Sequence, residues 1–423
     1  MRVLVCTVVH HPADARIYYR QIRALLEAGH QVTYIAPMGE KSAPAPLPAA
    51  SAPGSVPASP ATPATPAPAP GPSTVPRNSR SSLTFVTIPR AVGKRRLGAL
   101  RAARAALAEH APSADLLLVH DPELLLVLPP RAKRPPTVWD VHEDTAAALT
   151  TKAWLPRFLR PVAAGGVTFA ERQAERRLHL IVAEKGYNAR FTGTHPVVPN
   201  TTYVPETAAP PSGPRRVIYV GHISPDRGSA EMTEMARLLA PHGIAVELVG
   251  QADARAQEHI RAAQAGLARG PAGSAPSGDA PAGDAPAGDA PSGGGLHWHG
   301  FVPNEQALAL ADGALAGLSL LQDEANFRVS MPTKVVEYMA RGLPVITTPL
   351  PLAVELVEGA DCGFVVPFND PQAAVEAVLR LDGDPSLRVK MGDRGHEAAK
   401  RDLGWPAEAT KFVTQLQQWS RNP

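Results

Sequence analysis

The stretch Ser330–Ile346 reads Ser-Met-Pro-Thr-Lys-Val-Val-Glu-Tyr-Met-Ala-Arg-Gly-Leu-Pro-Val-Ile and carries the richest chemistry in the chain. Pro332 at a start and Gly342 just past an end predict a helix from Thr333 to Arg341. The N-terminus of such a helix presents free backbone N–H groups and the positive end of the dipole, which suits a diphosphate. Lys334 and Glu337 share a face of it. A lysine beside phosphates and a carboxylate one turn deeper suit a nucleotide whose ribose hydroxyls bond to the carboxylate. The same spacing also allows a plain ion pair between Glu337 and Arg341 that only stabilises the helix.

Other polar clusters follow apolar runs directly. Tyr219-Val-Gly-His-Ile-Ser-Pro-Asp-Arg-Gly228 places a cation, Arg227, after the tight turn at Gly221. A guanidinium clamps phosphate through its planar fork, whereas the imidazole of His222 is only partly charged at neutral pH. In the first half, His10-His11-Pro-Ala-Asp14-Ala-Arg16-Ile17 follows the run Val3 to Val9. His120-Asp121-Pro-Glu123 and Asp140-Val-His142-Glu143-Asp144 follow two more. Asp121, His142 and Glu143 are candidates for proton handling, with helix capping by Asp121 or Asp144 as the alternative. These clusters lack the spacings that hold a cation, so no metal is expected. G-x-G-x-x-G is absent after the first strand, which argues against a bound dinucleotide there.

The elements that position these residues alternate as short apolar strands and longer amphipathic segments, the pattern of parallel sheets covered by helices. Strands are expected at Val3 to Val9, Gln31 to Ala36, Leu83 to Ile88, Leu116 to Val119, Thr137 to Val141 and His179 to Val182. Helices are expected over Ile17 to Ala28 and within Leu155 to Arg177. The rhythm restarts at Arg216 to Val220, followed by a helix at Ser229 to Ala240 and a strand at Ala245 to Val249. It continues through Leu296 to His299, Ala316 to Leu321, Pro344 to Thr348 and Gly363 to Val366. The expected organisation is an N-terminal domain over 1–205, a C-terminal domain over 206–400 and a tail helix over 401–423. The boundary lies in the Pro-rich stretch from Pro205 to Pro214, and the tail is expected to pack back on the first domain. Both sheets read as doubly wound, so ligands belong at the strands' C-terminal ends, in a cleft between the halves.

Two segments lack the apolar surface to fold: a Pro/Ala-rich insert over 42–82 and a Pro-Ala-Gly-Asp repeat over 263–295. Both read as disordered surface insertions, the first also as a Pro-rich binding segment. Only two cysteines occur, Cys6 and Cys362, which excludes a disulfide scaffold and a cysteine zinc site. No run of about 18 apolar residues appears, and the chain opens as a strand rather than a signal peptide. A cytoplasmic protein is expected, free or peripheral on the inner face of the plasma membrane. The net charge of +3 is too small to imply nucleic acid. Arg90, Lys94, Arg95, Arg96, Arg101 and Arg104 lie together, with Leu97, Leu100, Ala103 and Leu107 at helical spacing. That segment reads either as a solvated helix face or as a dock for an anionic membrane surface.

The Pro-x-Lys-x-x-Glu-Tyr-Met-Ala motif of residues 332–340 closely resembles the donor signature of the family 4 glycosyltransferases, which have the two-domain GT-B fold of Rossmann-like halves. The resemblance extends over most of the chain outside the two inserts. It implies a retaining glycosyltransferase that needs neither cofactor nor metal. The donor would be a nucleoside-diphosphate sugar, UDP or GDP, and the acceptor a cell-envelope, polysaccharide or lipid-linked glycan. By resemblance, Gly221, His222 and Arg227 face the donor diphosphate with Pro332, Thr333 and Lys334. Glu337 meets the ribose, and Gly250, Gly300, Phe301 and Val302 match the glycine and the short loop that meet the base. His120 takes the role of a histidine near the donor sugar, and Arg227 and Lys334 stabilise the departing diphosphate. Asp14, Arg16, Asp121, His142 and Glu143 are left for the acceptor or its proton. Many members carry a second glutamate where this chain has Val329, with Asn326 and Glu324 the candidates to reach the sugar instead. A nucleotide-sugar epimerase or hydrolase and a non-catalytic sugar-nucleotide-binding subunit are the alternatives.

Overall fold

The structure is a computed structural model, and it describes residues 1–37, 81–142, 160–210, 213–269 and 294–421. Within these the chain divides into two compact units. The first comprises 1–141, 173–181 and 409–423, and the second 142–172 and 182–408. The Pro-rich stretch 205–214 falls within the second.

The first sheet has strands β1 (Arg2–Cys6), β2 (Gln31–Ala36), β3 (Ser82–Thr87), β4 (Leu116–Val119), β5 (Thr137–Val141) and β6 (His179–Val182). Their order is β3-β2-β1-β4-β5-β6, with β1 parallel to both β2 and β4. Chain order reverses between β1 and β4, and ligands of open α/β sheets gather at such a switch point. Strand β4 is buried along its length, the signature of a sheet covered on both faces. Strand β1 stops at Cys6 rather than Val9, because Thr7 and the amides of Val8 and Val9 turn to bond a carboxylate instead of continuing the ladder. The first helical segment opens as a π-helix over Ala15–Ile22 and tightens to an α-helix over Arg23–Glu27.

The second sheet has β7 (Arg216–Val220), β8 (Ala245–Val249), β9 (Leu296–Trp298), β10 (Ala316–Ser319), β11 (Val345–Thr347) and β12 (Gly363–Val365), ordered β12-β11-β10-β7-β8-β9. This is the same winding, with its switch point between β7 and β10. One core cluster joins the sheet to Met232, Met235, Ile260 and Val378, on the helices Ser229–Leu239, Ala254–Ala268 and Pro371–Gly383. A second joins it to Ala307, Val335, Met339 and Val357, on Asn304–Ala311, Thr333–Ala340 and Pro351–Gly359. Helices therefore cover both faces.

Both expected inserts need correction at their edges. Ser82 opens β3, where it pairs with Gln31, and residues 42–80 lie outside the described residues. The helix Ala254–Ala268 carries through Ala263, because Asp253 caps it and Ile260 anchors it in the core before the repeat begins. The rest of the repeat, 270–293, lies outside the described residues. The tail helix spans Trp405–Arg421. Within the first unit, its Trp419 ring stacks on His179 at 4.7 Å, and its Gln417 meets His30 at 3.1 Å.

Candidate functional site

In the second unit the helix Thr333–Ala340 is fixed to the switch point by Tyr338. The Tyr338 hydroxyl accepts the Val220 amide at 2.9 Å, and its ring fills the space over β10 that a Cβ on Gly317 would occupy, 2.3 Å from the ring. The N-terminus of this helix is thereby brought to the loop after β7. The carbonyl of Pro332 accepts the Val335 amide, so Pro332, Thr333 and Lys334 form the open first turn.

Lys334 reaches under that loop. Its ammonium lies 4.9 Å from the centroid of the Tyr219 ring. A Cβ on Gly221 would stand 2.9 Å from its Cε. Desolvation and, second, the neighbouring Arg227 pull the Lys334 pKa down to about 7, opposed by Glu337. Arg227 ends the short turn Pro225–Arg227 and lies 5.4 Å over the Phe327 ring. Among the described residues, neither cation forms an ion pair with a carboxylate. The arrangement is a pair of crowded positive charges beside a helix N-terminus, chemically matched to an anion. His222 adds little charge, since desolvation, Arg227 and Lys334 depress its pKa.

Glu337 is buried one turn along, with the Asn304 amide 3.4 Å from its Oε1, while Arg341 turns to Asp312. Gly250 closes this side: its amide donates to the Gly300 carbonyl at 2.7 Å, and its carbonyl accepts from the Trp298 indole. Phe301 follows with 47% of its surface exposed. Val329 is exposed and Glu324 and Asn326 are half-buried. Sequence reasoning missed that Glu184 accepts the Met331 amide at 2.8 Å and that Tyr187 meets Ser330 at 3.3 Å. Nothing local signals contacts across such a sequence separation.

The first unit gathers a different set. Asp14 caps the π-helix through the amides of Arg16 and Ile17. Arg16 pairs with Asp140 through two bonds of 2.8 and 2.7 Å, and Gln21 adds a third at 2.7 Å. The expectation that Arg16 contacts a ligand meets a side chain 6% exposed and committed to that carboxylate. His120 Nδ1 lies 3.3 Å from the same carboxylate. Asp121 accepts from Thr7, Val8 and Val9, and His10 Nε2 lies 3.2 Å from its other oxygen. It forms no cap on Pro122–Leu126. Burial alone raises its pKa, but the bonds from His10, Val8 and Thr7 outweigh this and hold it well below the usual carboxylate range. His142 stands half-buried just past β5, as the first residue of the second unit. Glu143 and Asp144 lie outside the described residues.

A family model for the glycosyl transferases of group 1 matches residues 277–384, which include Lys334 and Glu337. An exopolysaccharide phosphotransferase of Streptomyces coelicolor is 29% identical over 89 residues, 21% of this chain and only 9% of that protein's length. Sucrose-phosphate synthase from Thermosynechococcus elongatus shares the fold with a TM-score of 0.65 at 16% identity, over 99% of this chain and 98% of its own. HepE of Anabaena, solved with UDP and glucose, aligns at 0.59 and 13% identity over 98% of this chain and 99% of its own. WaaG, a glycosyltransferase involved in lipopolysaccharide biosynthesis, aligns at 0.58 and 15% identity over 98% and 100%. The chain has the two-domain α/β fold called GT-B, and its residues 277–384 are similar to the glycosyl transferases of group 1.

Proposed function

We propose that the chain transfers a sugar, with retention and without a metal, from a nucleoside-diphosphate sugar to a glycan or lipid-linked acceptor. The observation that carries this reading is the Lys334–Arg227 pair, two cations that form no ion pair among the described residues, beside an open helix N-terminus. The donor's bond between its anomeric carbon and the diphosphate breaks, and a bond to the acceptor oxygen forms on the same face. The leaving phosphate oxygen takes the acceptor proton. Negative charge grows on the diphosphate, and Arg227, Lys334 and the first-turn amides stabilise it where a cation otherwise would. Glu337 accepts from the ribose, and Phe301 offers its exposed ring to the base. His120 is assigned to the transfer step, and Asp14, Asp121, His142 and Glu143 to the acceptor side. Arg16 holds Asp140 instead.

UDP is the first nucleotide to test, since HepE was solved with it. Calorimetric titration with UDP, GDP and ADP, with chelator and then with magnesium, tests the reading. One nucleoside diphosphate should bind in the micromolar range, about −6 to −8 kcal/mol, with the same affinity in both conditions. Binding of none of the three, or binding only with magnesium, would overturn it.

A further inference from the structure

Six cations of the first unit, Arg90, Lys94, Arg95, Arg96, Arg101 and Arg104, come from a segment with no acid between Arg90 and Ala108. All six are exposed. Lys94 and Arg95 sit on the tight turn Gly93–Arg95, which leads into the helix Arg96–His110. The helix packs inward through Ala99, Ala103, Ala106 and Leu107. Leu97 is not on that face: it is 71% exposed. Spacings of four and seven residues place Leu97, Arg101 and Arg104 on one outward stripe.

Two more large exposed apolar side chains lie near the N-terminal end of this helix. Val92, just before the turn, is 54% exposed. Arg96 meets Glu123 at 3.4 Å, which brings the turn Pro122–Leu126 to the start of the helix, with Leu126 80% exposed. Lys94, Arg95, Arg101 and Arg104 form no ion pair among the described residues. Single exposed apolar residues are ordinary on a protein surface, but three set among unneutralised cations are not.

We propose that this face docks the chain on an anionic bilayer surface. The guanidinium and ammonium groups meet lipid phosphates, while Leu97, Val92 and Leu126 enter the acyl boundary beneath them. The pairing of charge with apolar tips selects this occupant. A nucleic-acid backbone would satisfy the cations and leave three apolar side chains in water, and an acidic protein is distinguished by binding to protein-free vesicles in the test below. No described helix is long and apolar enough to cross a membrane, so the contact lies on the surface. This inference is independent of the donor-site reading.

The test is cosedimentation of the full chain with vesicles of phosphatidylcholine, with and without phosphatidylglycerol, at low and high salt. Binding should require the anionic lipid, fall with salt, and weaken roughly fivefold for each cation removed in Arg101→Gln and Arg104→Gln. Leu97→Ser should weaken it as well. A Leu97→Trp variant should show blue-shifted fluorescence with anionic vesicles only. Circular dichroism and nucleotide titration of each variant, both expected to match wild type, separate loss of this surface from loss of the fold or the donor site. Equal binding to neutral vesicles, variants that bind like wild type, or an unshifted Trp spectrum would overturn the proposal.

Discussion

The Lys334 ammonium lies 4.9 Å from the centroid of the Tyr219 ring, in a space kept open because Gly221 has no side chain. The lysine is thereby desolvated and set near Arg227, effects that Glu337 only partly offsets, and its pKa falls to about 7. A bound diphosphate supplies that anion and favours the charged form. Nucleotide binding above pH 7 should therefore take up protons, and affinity should fall as pH rises from about 7. Titrations at pH 8 in two buffers of different ionisation enthalpy check this; identical heats would contradict it. The sign for the free protein is opposite. Between about pH 7 and the ordinary lysine value of 10.5, the unfolded chain binds more protons than the folded one, so this group makes folding more favourable as pH rises.

Gly221 and Gly250 face each other, yet their alanine variants should fail differently. A Cβ on Gly221 meets the end of a flexible lysine side chain, 2.9 Å from Cε. A Cβ on Gly250 meets backbone, 1.9 Å from the Gly221 carbonyl oxygen. Both glycines have positive φ, 135° and 144°, so each variant carries some backbone strain. Gly221→Ala should fold and lose nucleotide affinity about tenfold, as the lysine is displaced. Gly250→Ala should lose about 3 kcal/mol or more of stability, since a β-sheet connection must move. Thermal melts alongside nucleotide titrations distinguish the two; a Gly250→Ala protein as stable as wild type would refute the account.

The contrast between these loops and the first unit shows what the sequence made legible. Strands β4, β5, β6, β7 and β8 fall on the expected residues, because buried parallel strands are short, predominantly apolar runs, even where Asp140 or Glu247 interrupts one. The helix Thr333–Ala340 was equally plain from Pro332 and Gly342. Local pattern failed where a distant partner decides the structure. Val8 and Val9 look like strand, yet Asp121, more than 100 positions on, draws their amides away. Arg16 stands close to Asp14 in sequence but pairs with Asp140. Glu184 reaches Met331 across a comparable separation. Such pairings have no period and no motif, so only the folded chain reveals them.

The Arg16–Asp140 pair is buried, with side chains 6% and 0% exposed. Removing one partner leaves an uncompensated charge, and Asp140→Leu should cost roughly 3–5 kcal/mol. The double variant Arg16→Met, Asp140→Leu removes both charges and should recover much of that loss, provided Gln21 finds another acceptor. Denaturant unfolding of the two proteins measures the difference. If the double variant is no more stable than Asp140→Leu alone, the pair is not the main term at this position.

Glu337 and His120 should separate binding from turnover. Glu337 is buried on the helix that carries Lys334, and its proposed contact with the ribose forms as soon as nucleotide binds. A hydrogen bond to a charged group contributes about 1.5–3 kcal/mol, so Glu337→Gln should weaken nucleotide binding roughly tenfold to a hundredfold. His120 lies in the first unit, held 3.3 Å from Asp140, and its proposed part is confined to the transfer step. His120→Ala should leave the nucleotide dissociation constant unchanged and lower kcat about a hundredfold, the scale seen when one stabilising polar contact is removed from a reaction centre. Titration with the nucleoside diphosphate and a turnover assay on both variants give the two readouts. The assignment fails if His120→Ala weakens nucleotide binding as much as Glu337→Gln does, because the histidine would then act on the bound state rather than on the step that breaks the donor bond.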